Sequence, residues 1–238
     1  MNFSSRSYQP ELLDQDNIPF ADIEQNMNEL DIINRFLGGH RVTLAGLSKL
    51  VVNRSALSIC EIGCGGGDNL RAVHNWCQRR NMDVKLIGID INPDCIRIAR
   101  ARTSESSSTF ITADYHTVSL EYDKPDIIFS SLFCHHFRER EIISMLHWMR
   151  ENSSRGFFIN DLHRSQFAYF AIRILTGIFS NSYLVKNDAP LSVRRGFVRK
   201  EWMDLLKAAG INYFSVEWKW AFRWLVTVYP QPQNSVRQ

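Results

Sequence analysis

Three features of this sequence predict an α/β fold with a doubly wound, mostly parallel sheet. Short apolar runs alternate with stretches of helical apolar spacing along the middle of the chain, the order that a parallel sheet covered by helices requires. One apolar run ends in the glycine cluster Gly63-Cys64-Gly65-Gly66-Gly67. Residues without a Cβ allow a tight strand-to-helix turn and let backbone amides approach a ligand. A second run closes on Asp90, about 20 residues further on, where such folds set a carboxylate against ribose hydroxyls.

Ahead of the first strand, 30–36 and 42–52 carry helical spacing and are joined by Gly38-Gly39-His40-Arg41, while 11–29 is acidic and irregular. A strand is predicted over 57–62, a helix over 68–81, a strand over 84–89 and a helix over 93–102. Pro93 suits the first turn of that helix, where its missing amide hydrogen costs nothing. A polar loop, 104–108, leads to a strand over 109–112. Next come strand 126–130, a helix over 139–150 with the stripe Ile142, Ile143, Leu146 and Met149, and strand 156–160. Residues 162–197 exceed what the sheet needs: an aromatic and aliphatic helix over 167–179, then a charged stretch, 183–195, carrying Pro190. An insertion after a strand's carboxyl end sits over the ligand crevice of an open sheet, so a substrate lid is expected there. A helix over 201–209, stopped by Gly210, and a hairpin of 211–218 with 224–229 bring the strands to seven. One domain is expected: a helical cap over 1–55, a cofactor-binding core over 56–161, the lid over 162–197 and a closing helix and hairpin over 198–238.

A chain of 238 residues can bury one sizeable core. The net charge of +3, with basic residues scattered along the chain, gives no electrostatic footprint for nucleic acid. Five cysteines, Cys60, Cys64, Cys77, Cys95 and Cys134, form no C-x-x-C pair and read as reduced core thiols with no metal implied. Residues 1–10 are polar and lack a signal core, and the apolar stretch 167–179 is broken by Arg173 and falls short of a membrane span. A cytoplasmic protein without stable membrane insertion is expected, and contact of 167–179 with a membrane surface stays open. So does the oligomeric state, a homodimer included.

The run Glu61-Ile62-Gly63-Cys64-Gly65-Gly66-Gly67 resembles the first motif of class I S-adenosylmethionine-dependent methyltransferases, small-molecule and quinone-pathway enzymes in particular. The G-x-G-x-x-G loop of dinucleotide-binding dehydrogenases is one residue longer. Asp68, beside the loop, would repel a pyrophosphate and suits a cationic amino-acid ligand. The resemblance extends over 58–161. It implies a Rossmann-like methyltransferase fold with S-adenosylmethionine as cofactor. Gly63, Cys64, Gly65 and Gly67 would then cradle the cofactor, with Glu61 holding the loop and Asp90 accepting the ribose hydroxyls. Asp114 would meet the adenine amino group, with Tyr115 or Ile91 packed on the base, and Ser130 would begin the passage from donor to acceptor.

His135 and His136 follow that passage. An imidazole suits removal of a proton from a phenol or enol during methyl transfer, and the resembling enzymes often carry a histidine pair here. Both are catalytic candidates, with a structural hydrogen-bonding role as the alternative, and on an extended backbone the two would point opposite ways. Asp161 is expected to cap the next helix or to orient a histidine, with capping preferred. Arg35, His40 and Arg41 are candidates for the cofactor's carboxylate, or else parts of a solvated helix face. The N/D-P-P-Y motif of amino-group methyltransferases is absent. The aromatic lid favours a small hydrophobic, aromatic or polyketide-like acceptor, methylated at oxygen. Methylation at carbon, as in quinone pathways, or a non-catalytic protein that binds the cofactor are the alternatives.

Overall fold

Seven strands, β1 (Ala56–Ile62), β2 (Asp83–Asp90), β3 (Ser108–Thr112), β4 (Ile127–Ser131), β5 (Phe157–Leu162), β6 (Phe214–Lys219) and β7 (Arg223–Val228), form one sheet. The computed structural model describes residues 2–52, 55–103, 108–120 and 124–231. Strand order is β3-β2-β1-β4-β5-β7-β6. The first five strands pair in parallel, and β7 runs antiparallel to both β5 and β6. The winding reverses between β1 and β4, so a crevice opens at their carboxyl ends, where doubly wound sheets place ligands.

The central strands are apolar on both faces, as strands covered on both sides must be. Towards one side, Cys60, Ile62, Ile128, Phe157 and Ile159 pack with α5 (Glu139–Asn152) and α8 (Arg199–Ala208) through Met145, Leu146, Trp202 and Leu206. Towards the other, Ile59, Leu86, Ile127, Phe129 and Phe158 pack with α2 (Gly39–Leu50), α3 (Asp68–Gln78) and α4 (Pro93–Arg102) through Leu47, Leu70, Val73 and Ile96. Each such side chain contributes roughly 1.5–3 kcal/mol on full burial. A Cβ on Gly46 would stand 2.5 Å from the Phe158 ring, so α2 reaches the sheet only because glycine faces it.

One expectation needs correction. Residues 20–29 are helical, part of α1 (Phe20–Phe36), because Ile23 and Met27 bury against Cys95 and Ile98 of α4, a contact the local pattern does not announce. The charged stretch after α6 (Gln166–Phe179) is a helix, α7 (Tyr183–Arg195), with Pro190 inside it. Most of the expected loop 104–108 lies outside the described residues. Gly210 ends α8 in the left-handed region, φ +63°, as its sequence position suggested.

The N-terminal segment is a strap laid over α7. Asp188 accepts the amide hydrogens of Leu12 and Leu13 at 2.8 and 3.0 Å. Arg6 donates to the carbonyls of His135, Phe137 and Arg195. Among the described residues no helix is long and apolar enough to cross a membrane.

Candidate active site

A cleft of about 1040 Å³ opens at the carboxyl ends of β1, β2, β4 and β5. Its floor is the turn between β1 and α3. Gly63, Gly65 and Gly67 have φ of +66°, +48° and +73°, a region L side chains rarely adopt. At Gly63 a Cβ would also come within 2.2 Å of the Phe133 ring, so both backbone and space demand glycine there. The Gly63 and Cys64 amides donate to the Ile89 carbonyl, tying the loop to the end of β2. Asp90 accepts the Gly65 amide through Oδ2 at 2.8 Å and the Asn92 amide through Oδ1 at 2.9 Å. Asn92, not Asp90, caps α4.

Glu61, Gly63, Cys64, Gly65, Asp90, Ile91, His135 and His136 all line the cleft. Ile91 is 72% exposed at its rim. The other expected cofactor residues do not line it. Gly67 stands behind the loop as the N-cap of α3. Asp114 is exposed and accepts the His116 amide at 3.0 Å. Tyr115 is buried against Phe133 and Trp148, and its hydroxyl has no partner among the described residues. Ser130 is fully buried, 3.5 Å from Cys134 Sγ, while Ser131 faces the cleft instead. Strand alternation decides this last point, since adjacent residues of β4 face opposite sides.

The two histidines do meet one crevice. After β4 the chain passes Leu132, at φ +54°, into a 3-10 turn over Cys134–His136, so the backbone is not extended and the rings lie 4.5 Å apart. His135 is 2% exposed. Its Nδ1 lies 2.8 Å from Asp161 Oδ1 and its Nε2 3.5 Å from Glu11 Oε1. Burial opposes its charge, but Asp161 and Glu11 prevail and raise its pKa to about 9. Asp161 therefore orients a histidine and does not cap α6, which Ser165 caps. His136 is less enclosed, with Nδ1 3.1 Å from Asp14 Oδ1 and Nε2 3.7 Å from Glu11 Oε2. Burial works against the Asp14 carboxylate, yet His136 and the Glu11 backbone hold its pKa far below the usual range. Arg195 donates to the His135 and His136 carbonyls and fixes the turn from behind.

Residues 59–156 match the family described as a methyltransferase domain. No curated protein matches the chain by sequence. Among solved structures, the plantazolicin methyltransferase BpumL in complex with S-adenosylhomocysteine (SAH) is similar at a TM-score of 0.63 and 17% identity, with 89% of each chain covered. Human N-acetylserotonin methyltransferase in complex with S-adenosylmethionine gives 0.62 and 16%, over 89% of this chain and 56% of that one. A methyltransferase from Aquifex aeolicus gives 0.61 and 13%, over 89% and 98%. Identities this low speak to the fold.

Over residues 59–156 the core is similar to methyltransferase domains.

The cleft suits S-adenosylmethionine in observable ways. Asp90 accepts a backbone amide at each oxygen and has lone pairs left that would fit a ribose hydroxyl. Glu61 Oε2 is buried with no partner among the described residues, and burial, with Asp68 and Asp90 nearby, pushes the Glu61 pKa well up. Glu11, Asp14, Asp68 and Asp188 add carboxylates to the lining, a field that favours a sulfonium and an ammonium. The basic residues expected at the cofactor's carboxylate lie elsewhere. Arg35 and Arg41 are exposed and do not line the cleft. His40 Nε2 is 2.8 Å from Asp68 Oδ2, on a separate recess. Sequence reasoning missed Glu11, Asp14, Asn34, Arg195 and Arg223. No local motif marks them, because Glu11, Asp14, Asn34 and Arg223 reach the cleft from the strap, the end of α1 and the start of β7, and Arg195 braces the histidine turn from the end of α7.

Proposed function

We propose that the protein methylates a hydroxyl oxygen of a small, hydrophobic, aromatic acceptor, with His136 as the general base. The observation that carries this reading is the placement of His136, partly open, on a cleft whose facing wall is apolar. Phe167, Ala171, Ile172 and Leu175 of α6 and Val185 and Val193 of α7 build that wall. Such a wall suits an aromatic ring and excludes water.

S-adenosylmethionine, when bound, supplies an already activated methyl group on a sulfonium, so the protein mainly positions the reactants and manages one proton. The Gly63 and Gly65 backbone and Asp90 hold the cofactor's end of the cleft. His136 accepts the acceptor's hydroxyl proton at Nε2 while Asp14 holds the Nδ1 hydrogen, and the oxygen so freed carries the electron pair that forms the new O–C bond. His135 is the weaker candidate. It is locked between Asp161 and Glu11 and already protonated near neutral pH, so it supports the turn and adds positive charge beside the developing phenolate. Residues of α6 and α7 serve as the lid.

Calorimetry with S-adenosylmethionine, SAH and NAD, followed by a screen of phenolic acceptors, tests the reading. Binding of the sulfonium cofactor and of SAH is expected, and NAD binding without them overturns it. With an acceptor in hand, His136→Ala should lower kcat by about 10²–10⁴-fold while SAH affinity stays unchanged. Full turnover by that variant removes His136 as base, and NMR of the product separates methylation at oxygen from methylation at an adjacent carbon.

A further inference from the structure

Arg223, the first residue of β7, pairs in register with Leu162 at the end of β5 and so stands at the mouth of the sheet, on the cleft wall. It is 3% exposed. Its Nη2 donates to Asn34 Oδ1 at 2.9 Å, and Asn34 Nδ2 donates in turn to Asp68 Oδ2 at 3.0 Å, so the amide has one orientation that satisfies both neighbours. Nη1 is buried with no partner among the described residues. The nearby carboxylates are committed elsewhere: Asp161 to His135 and the Leu162 amide, Asp68 to Asn34 and His40. Arg223 is the one guanidinium or ammonium among the described residues that line the cleft. A guanidinium this buried and without an ion partner is costly unless an anion completes it, and its fork matches the two oxygens of a carboxylate.

We infer that Arg223, braced by Asn34, is a carboxylate-binding residue of the cleft, completed by a carboxylate of the bound ligand. The inference rests on the cleft being the ligand site. The carboxylate belongs to the amino-acid end of the cofactor or to the acceptor. Among the described residues that line the cleft only Arg223 offers a cationic fork, so it also gives the acid-rich cleft its selectivity for one anionic group in one place.

The test compares wild type with Arg223→Gln and Arg223→Lys in the full chain, each checked for folding by thermal unfolding. SAH is titrated beside 5′-methylthioadenosine, which lacks the amino-acid end. Benzoate is titrated beside benzamide, with and without SAH. If the cofactor supplies the carboxylate, Arg223→Gln weakens SAH by at least tenfold and 5′-methylthioadenosine by less than twofold. If the acceptor supplies it, SAH affinity holds and the wild-type preference for benzoate over benzamide is lost in Arg223→Gln. In both cases Arg223→Lys loses less, since it keeps the charge without the fork. Unchanged SAH affinity together with no benzoate preference in wild type overturns the inference. Should the variants not fold, the side-chain NH resonances of arginine in wild type decide: a buried set must shift with the carboxylate ligand and not with its carboxylate-free counterpart. Failure of wild type to bind S-adenosylmethionine or SAH defeats the methyltransferase reading alone, because the benzoate titration without cofactor still reports on Arg223.

Discussion

Gly63 shows how one residue type is forced from two directions. Its φ of +66° excludes most side chains, and the Phe133 ring fills the place a Cβ would take. Gly63→Ala must therefore displace Phe133 or the loop, and we expect SAH binding at least tenfold weaker by calorimetry. Wild-type affinity would mean that the loop yields at no cost. The His135–Asp161 pair makes a second prediction. The folded pKa of His135, about 9, stands above the unfolded value of about 6.5, so the folded state binds its proton more tightly. The stabilisation is complete below pH about 6.5 and is lost as pH rises through about 9. Urea unfolding should show stability falling across this window. Asp161→Asn, which leaves the buried imidazolium with Glu11 as its one carboxylate partner among the described residues, should lower stability at pH 6 by about 3–5 kcal/mol and flatten the fall. An unchanged slope in that variant would assign the pH dependence to other groups.

At the scale of elements, the site depends on two segments, the strap and α7, converging on the turn after β4. Glu11 and Asp14 arrive on the strap, and Arg195 arrives on α7. Asp188 holds the strap through two amides, so Asp188→Ala should free it. The readout is trypsin cleavage after Arg6, which is buried in the folded protein: faster cleavage is expected, with slower methyl transfer, whereas unchanged cleavage would show that the strap is held by other contacts. The apolar wall of α6 makes a separate prediction for the proposed lid. Ile172→Ser with Leu175→Ser removes apolar lining on the acceptor side, and KM for an aromatic acceptor should rise about tenfold, the order of one or two lost apolar contacts. An unchanged KM would count against α6 as part of the acceptor pocket.

At the scale of the whole molecule, both sheet faces are closed by helices, and Phe158 stacks on Phe129 with centroids 4.9 Å apart at 6° beneath α2. Phe158→Ala should cost about 3–5 kcal/mol, read as a lower midpoint in urea with an unchanged slope. A loss under 1 kcal/mol would mean that α2 collapses into the space. Much of this architecture is legible in the sequence, because strand periodicity, glycine spacing and the Asp90 position act over short distances along the chain. Strand and helix positions matched within a few residues for β1, β2, α3, α4 and α5. The exceptions have tertiary causes. Residues 20–29 gain helix by docking Ile23 and Met27 on α4, and Gly67, Asp114, Tyr115 and Ser130 fall outside the cleft lining. By itself, then, the sequence determined the alternating α/β core, the glycine turn and the carboxylate at Asp90, since each is written in neighbouring residues. Tertiary structure decided which histidine is locked and which is open, that Asp161 orients a ring, and that Arg223 rather than Arg35 or Arg41 faces the cleft. Those outcomes depend on groups separated by up to 189 positions, whose meeting is set by packing and burial and leaves no mark on any local stretch of chain.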